Sequence, residues 1–95
     1  MPIKALPSAG FSITIRIAVT ADASSIGRLT TCVGEAGAIV TALDVVDSDP
    51  GRVLVDLTCD TADSTHADQV VKNLEEQDGV DVRKVTLDSL RRSMA

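Results

Sequence analysis

A chain of 95 residues makes one domain at most, able to bury roughly 60–70% of its unfolded surface around a single core. A net charge of −5 and a sequence pI near 4.6 repel phosphate backbones and anionic bilayers, so nucleic acid and membrane are set aside as partners. The single aromatic residue, Phe11, provides no platform for stacking bases or sugars, and the core has to be built from Val, Ile, Leu and Ala.

Residues 1–10 carry Pro2, Pro7 and Gly10 but no long apolar stretch, and read as a flexible leader rather than a secretory signal. No apolar run approaches the ~20 residues of a membrane-spanning helix. Cys32 and Cys59 are far apart in sequence and read as small buried thiols in a reducing cytoplasm.

Phe11, Ile13, Ile15, Ile17 and Val19 alternate with polar or small residues, which is a strand with one face to the core. Asp22, Ser24 and Ser25 are competent caps for a helix whose stripe is Ile26, Leu29, Val33 and Ala36, with Gly37 at its C-terminal stop. Residues 38–47 form a second strand, with Leu43 and Val45 on one face and Val40, Ala42 and Val46 on the other. The cluster ending in Pro50-Gly51 reverses the chain into a third strand that places Val53, Val55, Leu57 and Cys59 on one face, so the two strands form a hairpin.

Ser64 or Thr65 caps a second helix with Ala67, Val70, Val71 and Leu74 on its inner side, and Gly79 ends it. A fourth strand spans residues 80–87, where Val82 and Val85 fall on opposite faces and leave room for a bulge. Residues 89–95 form a tail. The domain is therefore expected over residues 11–88 as an α+β, ferredoxin-like βαββαβ sandwich, a four-stranded antiparallel sheet with two helices on one face. With Val40, Ala42, Val46 and Leu54 on the uncovered face, or with an unpaired edge, such a sheet is expected to form a homo-oligomer.

Covalent chemistry finds little support. His66 is alone and expected in solvent, the cysteines lack a C-x-x-C spacing, and the aspartates do not follow a calcium-loop pattern, so neither a metal nor a cofactor is expected. Arg16 invites an anion-binding role of the acylphosphatase kind, but its polar-face position fits a cross-strand pair with Asp56 more simply. The remaining candidate is Asp22, Ala23, Ser24, Ser25, Ile26 and Gly27, where unpaired N–H groups and the helix dipole favour a carboxylate. Gly27 would let a ligand or a neighbouring backbone approach.

The stretch GRLTTCVGEAGAIVTALDVV, after the strand ITIRIAVTA, resembles an ACT domain, and more narrowly the N-terminal ACT domain of bacterial malic enzymes, actinobacterial ones especially. The later piece RVLVDLTCDTADSTHADQVVKNLEEQDGVDVRKV fits as well, so the likeness covers residues 11–85. It implies a regulatory role: a small effector, an amino acid or another carboxylate, held at residues 22–27 between paired copies, next to a malic-enzyme catalytic region. Family members that bind amino acids usually carry Pro-Gly where this chain has Ala23-Ser24. The chain ends in TLDSLRRSMA where the malic enzymes continue, which implies a stand-alone copy or a fragment, unable by itself to turn over malate. Three roles follow: an effector-binding regulatory module, a ligand-free dimerisation or docking module, and, least favoured, an enzyme of acylphosphatase type.

Overall fold

The computed structural model describes residues 8–88. Its elements run β1 (Ser8–Thr20), α1 (Ser25–Glu35), β2 (Ile39–Asp49), β3 (Arg52–Thr61), α2 (Ser64–Glu75) and β4 (Val80–Leu87). The strands form one antiparallel sheet in the order β2-β3-β1-β4. This is the expected ferredoxin-like sandwich, with β1 beginning at Ser8 inside the stretch read as leader.

The alternation in β1 has the anticipated consequence. Ile13, Ile15, Ile17 and Val19 are all but fully buried, beside Val55, Leu57 and Cys59 of β3. Leu29 and Val33 of α1 and Val70 and Leu74 of α2 close the layer from one side, each 0% exposed. Each fully buried aliphatic side chain stabilises the fold by about 1.5–3 kcal/mol, so this aliphatic layer replaces the aromatic residues the chain lacks.

The turns follow local chemistry. Gly37, at φ +86, takes the left-handed position past α1 while its N–H donates to Gly34 O at 2.9 Å. Pro50-Gly51 makes the tight reversal between Asp49 and Arg52, which face each other in the ladder. Gly79 admits no side chain: a Cβ there would lie 2.6 Å from Thr20 Oγ1, and its carbonyl accepts the Thr20 N–H. The cap of α2 is Asp63, whose carboxylate accepts the His66 N–H at 2.8 Å, one residue ahead of the Ser64 or Thr65 expected. Ser24 sits at the N-cap of α1 without a side-chain capping bond.

Bulges reset the faces of the two outer strands. In β2 the register slips between Val40 and Ala42 and again between Val45 and Asp47, so Thr41 and Val46 are extra residues. Val40 therefore opposes Cys59 and packs on the core, not on the uncovered face where strict alternation placed it. In β4 a slip at Arg83 puts Val80, Val82, Val85 and Leu87 on one side, which is the bulge their phasing allowed.

The uncovered face is consequently polar rather than the apolar surface expected for self-association. Arg16 donates through Nε and Nη2 to the two oxygens of Asp56 at 2.8 and 2.9 Å, the Thr14 and Thr58 hydroxyls are bonded at 2.9 Å, and Thr14 also bonds Asp88. Ala42 remains there, as does Leu54, which faces Ala18 across the ladder.

Candidate functional site

The β1–α1 connection brings the six expected residues to one corner but gives them different exposures. Asp22 and Ala23 are exposed, Ser25 is buried, and Ile26 is half-buried against the core. Only Ser24 and Gly27 of the six line the adjoining cavity, which has a volume of about 410 Å³.

The rest of that cavity comes from residues to which the sequence assigned no role at this site: Arg28, Thr31, Cys32 and Glu35 of α1, and Gln77 just after α2. Ser24, Arg28, Thr31 and Glu35 recur at helical spacing, so the lining is a stripe of α1 itself. That spacing was present in the sequence, on the helix side opposite the apolar stripe. Arg28 and Glu35 stand seven residues apart, about 10 Å along the axis, which gives the cavity one cationic and one anionic end.

Electrostatics at the helix start are already balanced from within. Asp22 Oδ1 accepts the Ser24 N–H and the Ser24 hydroxyl, both at 2.9 Å. Arg28 reaches the other oxygen at 3.3 Å and also bonds the Ser24 hydroxyl. The hydroxyl and N–H of Ser24, with Arg28 behind them, hold the Asp22 carboxyl below its ordinary value of 3.8. A Cβ on Gly27 would meet no atom within 4 Å, so nothing in the protomer requires a glycine there.

Other candidates have structural tasks. Arg16 is engaged by Asp56 as the cross-strand pair anticipated. Cys32 and Cys59 are free and buried; burial pushes the Cys59 thiol up to about 11 and raises Cys32 as well, away from the reactive thiolate. His66 is not the solvent-exposed side chain expected. Its Nδ1 accepts the Ala62 N–H at 2.9 Å, so Nε2 carries the hydrogen and donates to Ala36 O at 2.7 Å, tying the end of α1 to the start of α2. Among the described residues no group of three or more His, Cys, Asp or Glu is placed to hold a metal, and no helix is long and apolar enough to cross a membrane.

The fold is that of ACT domains. The chain is similar to the ACT domain from the GTP pyrophosphokinase of Chlorobium tepidum, with a TM-score of 0.63 and 14% identity over 82% of this chain and 97% of that one. It is also similar to a homoserine dehydrogenase from Thiobacillus denitrificans, with a TM-score of 0.63 and 15% identity over 92% of this chain but only 18% of the enzyme. No protein-family model matches the chain, and no curated protein does.

Proposed function

We propose that this chain is a non-catalytic regulatory ACT module that binds a small carboxylate effector, an amino acid among the candidates, beside the β1–α1 loop in an assembly of copies. The observation that carries it is the cavity along α1, where Ser24 and Gly27 meet Arg28 at a helix N-terminus. A carboxylate placed there meets a guanidinium and the positive end of the helix dipole, and Glu35 at the far end suits an ammonium group. The resemblance of residues 11–85, carried most by 27–46, to the N-terminal part of bacterial malic enzymes supports attachment to, or docking on, a malic-enzyme catalytic region.

A ligand-free dimerisation or docking module is the second reading, and one observation favours it. Asp22 already uses the Ser24 N–H, the Ser24 hydroxyl and Arg28, the donors an incoming carboxylate needs. Titration calorimetry with a panel of amino acids and dicarboxylates separates the two. The regulatory reading expects heat from at least one compound, weakened by Gly27→Val, which fills the open space at Gly27, and strengthened by Ser24→Gly, which removes the hydroxyl bonded to both Arg28 and Asp22. Silence across the panel with self-association intact leaves the docking module.

A further inference from the structure

We propose that the cavity along α1 selects its ligand by a terminal cation, an ammonium or guanidinium at the end of an aliphatic chain, which docks on Glu35. This selectivity rests on the effector reading above and deepens it, by fixing which chemistry the same cavity discriminates.

The charges at the two ends of the cavity are differently engaged. Arg28 is committed: its guanidinium turns back toward the helix start, onto the Ser24 hydroxyl and Asp22, whose carboxylate neutralises it. Among the described residues Glu35 makes no ion pair, and neither does Glu76, the C-cap of α2. Gln77, the next residue, lines the cavity, so the cavity abuts the end of α2 where the helix dipole is negative. Lys72, the basic residue in the last turn of that helix, is not part of the lining. Both carboxylates are felt at the floor: the Cys32 thiol is raised first by burial and then by Glu35 and Glu76, with no cation offsetting them. The unmatched charge in the cavity is negative.

Between the ends lie Thr31 and Cys32, whose methyl and thiol groups suit methylenes better than further charge. The span decides the rest. Arg28 and Glu35 are two helical turns apart, about 10 Å along the axis, and Arg28 leans away from Glu35. The carboxylate and ammonium of an α-amino acid hang from one carbon and cannot serve both ends. A cation at the tip of a side chain can, with its carboxylate left beside Ser24 and Arg28. Glu35, Glu76 and Cys32 are not gathered closely enough to hold a metal, so the cation is an organic one.

Basic amino acids and diamines both carry this chemistry. Titration calorimetry with lysine, arginine, norleucine and cadaverine, on wild type and on Glu35→Gln, tests the selectivity and separates the two sources. Lysine and arginine should bind about fivefold more tightly than norleucine, which has the aliphatic chain without the terminal cation. Glu35→Gln should abolish that preference and leave norleucine unchanged. Glu35 is exposed, and far-UV circular dichroism verifies the fold of the variant. Cadaverine binding as tightly as lysine supports the terminal cation and removes the carboxylate from the proposed function; much weaker binding supports a cation joined to a carboxylate. Norleucine equal to lysine, or a preference that survives Glu35→Gln, overturns the selectivity and leaves the regulatory reading standing. Silence from lysine, arginine and cadaverine while another compound of the panel binds does the same. Silence across the whole panel overturns both.

Discussion

A single imidazole joins the two halves of the helical layer. His66 satisfies two backbone groups, Ala62 N–H and Ala36 O, that lie on opposite sides of the α1–α2 gap. Replacing it with Ala leaves both without that partner, which should lower stability by about 1–3 kcal/mol, read as a drop in the denaturation midpoint at unchanged slope. No change would assign the ring to solvent. Asp56 acts on a different axis. The Arg16 fork holds its carboxyl below the ordinary 3.8, so the ionised form is the one the fold favours. Its contribution is fully present above the unfolded value and is lost as pH falls through the lower folded one. Melting temperatures taken from pH 5 to pH 2 should therefore fall less steeply for Asp56→Asn than for wild type. Parallel slopes would mean the fork adds nothing to the acid response.

Helix α1 carries a glycine in its first turns with open space around it. An interior glycine costs a helix about 0.8–1 kcal/mol relative to alanine. Gly27→Ala should accordingly stabilise the free protein by up to about 1 kcal/mol, and a loss of stability in chemical denaturation would show that Gly27 serves the fold. At this scale the sequence was legible wherever an element kept its period. The alternation of β1, the stripe of α1 and the Pro50-Gly51 reversal all follow from local chemistry, and the order of elements follows from them. The faces of β2 did not, because the extra residues Thr41 and Val46 are ordinary strand formers and no glycine or proline marks them. Each bulge inverts the alternation beyond it, which moved Val40 into the core. The bulge in β4 was readable because valines on both sides of Arg83 fell out of phase. Part of the candidate site was readable too, at Ser24 and Gly27, whereas Arg28, Thr31 and Glu35 were not singled out because nothing in the sequence sets them apart from the polar side of any amphipathic helix. The role of His66 left no trace in sequence, since both its partners are main-chain atoms and one lies 30 residues away.

Across the whole molecule, one continuous core links both helices to the central strands, so a disturbance in any element should be felt in the same transition. Leu29→Ala in α1 and Leu74→Ala in α2 each empty a fully buried site, and each should cost about 2–5 kcal/mol while leaving a single cooperative unfolding step. The same coupling gives effector binding a global readout. A ligand at 100 times its dissociation constant stabilises the folded state by about 2.7 kcal/mol. In a domain of this size each kcal/mol moves the melting temperature by about 4–8 °C, so the true effector should shift the whole transition upward by about 10–20 °C. Circular dichroism is the suitable probe, because a chain with one phenylalanine and no tryptophan or tyrosine offers little fluorescence. A saturating compound that leaves the midpoint unmoved is not bound to the folded domain, and one that splits the transition in two would show that the β1–α1 corner unfolds apart from the rest of the core.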